Sequence, residues 1–448
     1  MNNLPLNILQ NVQLYLRAYL ALQQNYCAII DTANTRFSNF NHINGNLGSS
    51  VTFDQPPRAV ASAGLIANAA PAQQIVHTLT VDQAENAAFA MNMQQIIFNM
   101  KNAPGGDYRS VFGESLVAEL AARVESTGME NFISNVRPMT QQGDQTIISD
   151  IGNANSGPRR FFGNGVTPFN SYQQLAQAIM LGRTTGQAGT ETKMYLPDFV
   201  IPQIVQSGLN QFTLERGDET AMSWQIGTWG SPRNTMYQSN LLAEHVSGTT
   251  GVLQQTLTVV STNDSTGQNV TAITFSGASA SDAQAVKAGD LFSFVVTTNY
   301  DTVFELTYFG HKKSVARYQF RAATDAASDV SGNVTITLSE PINWAGGINQ
   351  NISTAIVAGM QVKGCNSHKA GGIVFGDALY LAMPKLPEEW PFASISEEDP
   401  NSKCSFMLSF GAQLGRNNSQ VILYQASGWY LVPNYSMRVL IPMDQTPF

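Results

Sequence analysis

The chain carries few charged side chains: Asp, Glu, Lys and Arg together make up 12% of its 448 residues. That is about half of their share in an ordinary globular domain, and Asn, Gln, Ser and Thr fill the difference. A surface poor in charge can be buried against other chains without desolvating many ions, so the composition favours a protein built for contact. The net charge of −8 argues against bulk electrostatic binding of nucleic acid, which needs clustered Lys and Arg.

Cysteine is also scarce, and Cys27, Cys365 and Cys404 lie far apart in the sequence. Three widely spaced cysteines give neither a disulfide framework nor a zinc pattern, so we expect buried free thiols in a reducing cytoplasm. The first basic residue is Arg17 and no run of 18 apolar residues occurs. We therefore expect no signal peptide and no membrane span.

Recognisable catalytic motifs are missing from the sequence. It contains no phosphate-binding loop, no glycine-rich dinucleotide motif, no paired-histidine zinc motif and no Gly-x-Ser-x-Gly turn. Its five histidines are scattered over the whole chain: His42, His77, His245, His311 and His368. We predict no catalytic residue, no metal site and no cofactor, and hence a protein that is not an enzyme.

Two charged clusters interrupt the polar background. Glu388-Glu389 and Glu397-Glu398-Asp399 match no calcium-binding loop, so we interpret them as a solvated acidic loop. The basic cluster consists of His311, Lys312, Lys313, Arg317 and Arg321. It would suit a nucleic acid or a partner's carboxylates, and it would equally suit the charged outer face of a strand.

The first hundred residues predict extensions that lie outside a compact core. Apolar residues at spacings of three and four predict a helix over 4–30, in an N-terminal arm of residues 1–45 that packs on another surface: Leu9, Val12, Leu16 and Leu20. Residues 46–92 then predict two alternating strands joined by a long tip. Asp54 and Arg58 are nearly the only charges at that tip, so we expect them to contact a neighbouring subunit.

Residues 93–248 predict a long helix followed by mixed helices and strands. Asp107 can cap the long helix and Pro138 ends it. Its apolar stripe is formed by Phe112, Leu116, Leu120 and Val124, continued by Phe132, Ile133 and Val136. A second helix is predicted to begin at Thr167-Pro168. A strand over 193–196 precedes a third helix that starts at Pro197.

Residues 249–363 change character to β-branched, alternating runs such as Asn333 to Leu338. Because helical patterns lie on both sides, we predict a small β-barrel or sandwich inserted into another domain. Mixed segments return over 364–448 and end in a strand pair around 420–424 and 435–441.

Several ordered stretches resemble one family, the major capsid proteins of tailed double-stranded DNA bacteriophages of podovirus type, which carry an inserted immunoglobulin-like β-domain. They are Thr78-Leu79-Thr80-Val81-Asp82-Gln83, Gln225-Ile226-Gly227-Thr228-Trp229-Gly230 with its continuation through Tyr237-Gln238-Ser239-Asn240-Leu241 to His245-Val246-Ser247-Gly248, Lys287-Ala288-Gly289-Asp290-Leu291-Phe292, Gly332-Asn333-Val334-Thr335-Ile336-Thr337-Leu338-Ser339-Glu340-Pro341-Ile342 and Gly372-Ile373-Val374-Phe375-Gly376-Asp377-Ala378-Leu379-Tyr380-Leu381-Ala382. The third is similar to a Lys-x-Gly-Asp-x-Phe strand entry inside the insertion. The resemblance implies an α+β, Hong Kong 97-type capsid fold with an arm, an extended loop, a spine helix and an inserted β-domain.

The resemblance also implies a role. The chain would assemble with itself into hexamers and pentamers of an icosahedral shell, with a scaffolding protein and a portal as partners. The shell would enclose double-stranded DNA without sequence-specific binding, form in the host cytoplasm and remain as the virion capsid. The alternative is a phage tail or adhesin-type binding protein, which would explain the polar β-rich middle but not the arm, hairpin and long helix.

Overall fold

The computed structural model describes residues 27–36, 50–55, 75–92, 108–133, 157–184, 191–207, 225–229, 233–297, 300, 302–307, 310–346, 350–386, 393–398, 404–412 and 418–445. The helices within these ranges are α1 (Ala28–Thr32), α2 (Tyr108–Glu130), α3 (Tyr172–Thr184), α4 (Val200–Gln206) and α5 (Thr249–Val252). None of them is long and apolar enough to cross a membrane.

The strands of the described residues are β1 (Ser50–Gln55), β2 (Ile75–Thr80), β3 (Gln83–Asn92), β4 (Phe161–Phe162), β5 (Glu191–Leu196), β6 (Gln225–Trp229), β7 (Arg233–Gln238), β8 (Glu244–His245), β9 (Thr256–Thr262), β10 (Val270–Ser276), β11 (Leu291–Phe294), β12 (Phe304–Leu306), β13 (Lys313–Arg317), β14 (Gln319–Arg321), β15 (Asn333–Ile342), β16 (Gln361–Gly364), β17 (His368–Phe375), β18 (Leu379–Ala382), β19 (Ala393–Glu398), β20 (Ser405–Ala412), β21 (Asn418–Leu431) and β22 (Ser436–Pro442).

The chain divides into two compact units, each built from separate stretches of sequence. Unit 1 comprises Met1–Phe53, Thr78–Gly128 and Leu379–Tyr430, and unit 2 comprises Asp54–His77, Met129–Ala378 and Leu431–Phe448. This division differs from the one predicted from the sequence. The return segment 364–448 is shared between the units, and most of α2 belongs to unit 1 rather than to the mixed lobe.

Unit 1 combines a long helix with an antiparallel sheet. The sheet has the order β18-β21-β20-β19, and β3 pairs with β21 over ten residues. The expected hairpin of residues 46–92 therefore ends early: β1 pairs with β2, whereas β3 belongs to this sheet. Glu397 and Glu398 lie in β19 and not in the predicted acidic loop, because β19 pairs with β20 along its full length.

The N-terminal segment that the structure describes is part of unit 1. Cys27 to Ile30 are at most 2% exposed, and the Cys27 thiol donates a hydrogen bond of 2.9 Å to the carbonyl oxygen of Ala121 on α2. This part of the predicted arm therefore packs on its own subunit. The rest of the predicted helix over 4–30 and the hairpin tip with Arg58 lie outside the described residues.

Helix α2 ends at Glu130, eight residues before the predicted stop at Pro138. A tight turn follows, in which the amide of Phe132 donates to the carbonyl oxygen of Met129 at 3.1 Å. Phe132 and Ile133 therefore do not continue the helix. The physical reason is that the carbonyl groups of these two residues accept hydrogen bonds from the side chains of Arg438 and Arg321.

The mixed lobe of unit 2 is a seven-stranded sheet with α3 and α4 packed against it. Its strand order is β4-β22-β17-β5-β7-β6, with β8 paired to β17. The predicted final strand pair is wrong, because β21 lies in the sheet of unit 1 whereas β22 pairs with β17 and β4 here. An apolar cluster of helix and sheet side chains forms the core between the two layers, including Leu175, Ile179, Met194, Ile204, Met236, Phe375 and Ile441.

Helix α3 begins at Tyr172 and not at the predicted Thr167-Pro168. The hydroxyl of Ser171 accepts a hydrogen bond from the amide of Gln174 at 3.3 Å. The Gln174 side chain accepts one from the amide of Ser171 at 3.2 Å. This reciprocal pair is a capping box, which satisfies the first amides of the helix more fully than Pro168 would.

Residues 249–363, predicted from the sequence to form an inserted β-domain, enclose an apolar core. Its sheet has the order β14-β11-β16-β9-β10-β15. The two end strands meet, because Ala322 bridges Leu338 and the amide of Ala323 donates to Thr337, so the sheet closes as a barrel. Every buried residue of the enclosed apolar cluster lies between Leu257 and Val362. The alternation of buried and exposed residues along β15 follows the period of two that the sequence shows.

Candidate functional site

A cluster of buried charges joins the inserted β-domain to the mixed lobe within unit 2. Arg159 and Arg160 precede β4 and are 5% and 4% exposed, and Glu305 on β12 is 2% exposed. The Glu305 carboxylate accepts hydrogen bonds from Nη2 of Arg159 at 2.5 Å and from Nη2 of Arg160 at 2.7 Å. Two cations from the lobe thus share one anion from the inserted β-domain.

The electrostatics of this cluster favour the fully ionised state. Burial by itself raises the pKa of Glu305, but the neighbouring guanidinium groups of Arg159 and Arg160 outweigh it and lower that pKa to about 2. Conversely, burial alone would lower the pKa of Arg159, and Glu305 raises it above its ordinary value. The pair is therefore charged at any physiological pH, and removal of one partner leaves an uncompensated buried charge.

Further contacts extend the cluster along the same boundary. Arg159 also donates to Glu340 on β15 at 2.8 Å, and its guanidinium carbon lies 4.9 Å from the centroid of the Tyr318 ring. The Gln319 side chain exchanges two hydrogen bonds of 2.9 Å with the backbone of Phe161 in β4. Strand β4 is thus fixed to the inserted β-domain by side chains.

A second group of buried polar side chains, the second node, surrounds Arg438 in β22, which is 0% exposed. Its other members are Arg321, His245, His368 and Asp290. The guanidinium of Arg438 donates to the carbonyl oxygens of Phe132 at 2.7 Å, Ile133 at 2.6 Å and Gly289 at 3.3 Å. Arg321 of the inserted β-domain donates to the same Ile133 oxygen at 2.9 Å. The two cations hold the turn after α2 against both parts of unit 2.

Burial lowers the pKa of both arginines at this node. The pKa of Arg438 falls to about 9, with a further contribution from the positive charge of Arg321. The pKa of Arg321 falls to about 10 through burial, against a partial compensation by Glu340. Both guanidinium groups remain protonated at neutral pH, so two positive charges are held close together inside the protein.

Two histidines complete the second node. His245 on β8 and His368 on β17 are 6% and 0% exposed, and their ring centroids are 5.4 Å apart. Nε2 of His245 lies 2.8 Å from a carboxylate oxygen of Asp290, whose other oxygen accepts the amides of Gly248 and Lys287. Nε2 of His368 lies 3.4 Å from Nη1 of Arg438.

These arrangements connect structural elements, because the charged groups of both clusters bind one another or backbone carbonyl groups. In the ranges that the structure covers, no three His, Cys, Asp or Glu side chains come together in a way that would hold a metal ion. The cysteines, for their part, are free and buried, as predicted.

The predicted spine residues lie on the buried side of α2 where the structure describes them. Leu116 is 6% exposed, and Leu120 and Val124 are 0% exposed. The buried face is broader than the predicted stripe, since it also includes Val117 and Ala121. The side chain of Phe112 lies outside the described residues, as do those of Asp54 and Arg58.

The predicted basic patch is split by the fold. Lys312, Lys313 and Arg317 are exposed on and beside β13, where Lys313 lies 4.4 Å from the Phe304 ring centroid. Arg321, by contrast, is 1% exposed, so its assignment to a surface patch is wrong. Arg321 is the last residue of β14, the short strand that follows β13. Its side chain points into the protein, where it donates a hydrogen bond to the carbonyl oxygen of Ile133.

The sequence reasoning missed the buried charges that join the two parts of unit 2. A signal was present, because Arg438 is the only charged residue in the apolar run Met437 to Pro442. Arg159-Arg160 likewise adjoins the apolar pair Phe161-Phe162. A cation within an apolar strand indicates a buried partner, since an unpaired buried charge is strongly disfavoured.

No protein-family model matches the sequence, and none of the curated proteins matches it. Among solved structures, the fold is similar to a chain of the capsid of Ralstonia phage GP4, with a TM-score of 0.42, 7% identity and coverage of 94% of this chain and 89% of that one. A chain of the capsid of Cyanophage P-SCSP1u has a TM-score of 0.36 and 9% identity, covering 88% and 84%. A chain of the bacteriophage PhiM1 mature capsid has a TM-score of 0.35 and 9% identity, covering 90% and 84%.

The matched neighbours are thus chains of bacteriophage capsid structures.

Proposed function

We propose that this chain is the major capsid protein of a tailed double-stranded DNA bacteriophage, a structural subunit of Hong Kong 97-type fold and not an enzyme. The observation that carries the proposal is the order of elements. A paired strand extension (β1 and β2) is followed by the long buried helix α2, the mixed lobe, the inserted barrel and a return of the chain to both units. This is the order that the sequence resemblance implies.

The buried charge cluster supports a structural role. A subunit of a closed shell must hold its parts in a fixed relation, and the contacts of Arg159 and Arg160 with Glu305 fix the inserted β-domain on the lobe. In this proposal the buried ion pairs fix the geometry of the junction, and that is their role rather than added stability. The podovirus type and the immunoglobulin-like character of the inserted β-domain belong to the same proposal.

The partners follow from this role. Copies of the chain would form the hexamers and pentamers of an icosahedral shell, guided by a scaffolding protein, with a portal at one vertex. The low content of charged residues suits a surface that becomes buried between copies. The shell would assemble in the host cytoplasm and enclose double-stranded DNA without sequence-specific binding.

Two surfaces are proposed as contacts between copies. One is the hairpin tip with Asp54 and Arg58. The other is the outward face of β13, where Lys313 and Arg317 flank Val315, which is 80% exposed. None of the ion pairs recorded for the described residues involves the two cations of β13. A carboxylate-bearing segment of a second copy would form ion pairs with them.

Electron microscopy of the purified, overexpressed chain tests the proposal. Closed or partly closed shells are expected. Trimeric spikes would instead favour the tail or adhesin alternative, and small soluble oligomers under all assembly conditions would refute the capsid assignment. The surface assignment is tested separately with Arg317→Glu, which should reduce shell yield. Lys363→Glu, at an exposed position elsewhere on the inserted β-domain, is the matched control and should not reduce it.

A further inference from the structure

The second buried node has a property that follows from its hydrogen bonds. Nδ1 of His368 lies 2.7 Å from the carbonyl oxygen of Asn366, which accepts only, so Nδ1 carries the proton. Nε2 faces Nη1 of Arg438 at 3.4 Å, and a guanidinium donates only. Nε2 is therefore the acceptor, and the geometry requires His368 to be neutral.

A proton added to His368 would occupy Nε2 and remove the acceptor for Arg438. It would also place two cations against each other, both on side chains of residues that are 0% exposed. Among the described residues, the charged groups that act on the two rings are Arg438 on β22 and Asp290 and Lys287 before β11, while Arg321 on β14 and the thiol of Cys365 act on Arg438. Asp290 is the one carboxylate in this described set, and it already accepts hydrogen bonds from His245 and two backbone amides.

The pKa values point in the same direction. Burial lowers the pKa of His368 well below its ordinary value, and the charge of Arg438 lowers it further. Burial also lowers the pKa of His245, although its hydrogen bond to the Asp290 carboxylate offsets part of this effect. Both rings are thus neutral at neutral pH.

We propose that His368, His245, Arg438 and Asp290 form an acid-sensitive latch between the inserted β-domain and the lobe. The latch is held at neutral pH by the contacts of Arg438 with Gly289 and with the turn after α2, and by the contact of His245 with Asp290. It weakens on acidification, because the undocked state binds a proton that the docked state excludes. Acid would therefore loosen one boundary of the subunit while the core of the barrel stays intact.

The direction and the magnitude of the change in docking stability with pH follow from proton linkage. A group whose pKa is lowered in the docked state contributes docking stability above its ordinary pKa, and that stability is lost as the pH falls below it. With an ordinary histidine pKa of about 6.5, excluding one proton weakens docking about 25-fold between pH 7 and pH 5. His368 alone accounts for this factor, and His245 adds to it.

The first test measures the histidines directly in the intact protein. Deuterium exchange at the imidazole C2 position, followed by mass spectrometry, reports the pKa of each histidine. For His368 no titration is expected between pH 7 and pH 5.5. A titration of His368 centred near 6.5 would overturn the proposal, whether or not any variant folds.

The second test measures docking in the same pH range. Amide exchange of peptides covering 245–251 and 285–291, corrected for the intrinsic pH dependence of exchange, should rise steeply between pH 7 and pH 5 in the parent. In His368→Gln, whose amide oxygen still accepts from Arg438 but does not titrate, the rise should be about 25-fold smaller. His311→Gln, outside the node, should behave as the parent. An equal rise in all three proteins would refute the latch and leave the proposed capsid role untouched, since neither measurement depends on assembly.

Discussion

Glu305 is the residue whose replacement should damage the junction of unit 2 most specifically. Its carboxylate is 2% exposed and neutralises Arg159 and Arg160 together. Glu305→Gln keeps the size of the side chain and one acceptor oxygen but removes the negative charge. Glu340, which is bonded only to Arg159, is then the one carboxylate left near the two cations among the residues described here.

The expected loss can be worked out in two ways. Leaving a buried charge without its partner typically costs about 3–5 kcal/mol. Independently, the pKa of Glu305 falls from its ordinary 4.5 to about 2, which corresponds to about 3 kcal/mol at about 1.4 kcal/mol for each factor of ten. Both figures are a large fraction of the roughly 5–15 kcal/mol that stabilises a folded domain.

The sign of the pH dependence is fixed by the direction of the pKa change. Because the folded-state pKa of Glu305 is depressed, its contribution is fully present above pH 4.5 and is lost as the pH falls towards 2. The parent should therefore lose this component on acidification below pH 4.5. The Glu305→Gln variant, which lacks the titrating group, should already be without it at pH 7.

The assay is the free energy of unfolding from urea titrations at pH 7 and at pH 3, for the parent and two variants. The control is Glu244→Gln, which breaks an exposed pair with Lys369 at 3.6 Å and should cost at most about 1 kcal/mol. The reasoning on the charge cluster is refuted if Glu305→Gln is no more destabilised at pH 7 than Glu244→Gln.

Three further predictions concern packing. Leu120→Ala truncates a side chain that is 0% exposed, so it should lower the free energy of unfolding by about 2–5 kcal/mol and give aberrant shells. The control Glu119→Gln changes an exposed residue and should alter that free energy by at most about 0.5 kcal/mol. Equal melting curves for the two variants would contradict the spine assignment. Gly372→Ala would place a methyl group inside the Phe132 ring and should cost about 1–3 kcal/mol, more than Gly371→Ala, whose nearest neighbours are 3.2 Å away. The inserted β-domain expressed alone should give dispersed amide resonances and a cooperative melt, because its apolar cluster is entirely its own; a disordered spectrum would show that it depends on the lobe.

Local patterns determined the elements of this protein wherever one face of an element is apolar. The alternation in 333–338 predicted β15, since a strand buried on one side needs a period of two. The spacing of Leu116, Leu120 and Val124 predicted the buried face of α2, since residues three or four apart share a side of a helix. The change to β-branched alternation at 249 likewise predicted a separate β region.

The tertiary structure determines which residues pair across long sequence distances, and local sequence patterns do not predict this pairing. Strands β21 and β22 follow each other in the sequence but join different sheets, because pairing depends on the register and neighbours available in the fold. In the sequence Arg321 belongs to a basic cluster, yet in the fold its side chain is buried and donates a hydrogen bond to the carbonyl oxygen of Ile133. Arg438 is held by carbonyl groups about 150 and 300 residues away in the chain, and only the folded backbone brings those groups to one point. A buried charge is stabilised by partners that the fold brings together from distant parts of the sequence. Hydrophobic periodicity, by contrast, can be recognised within one short segment of the chain.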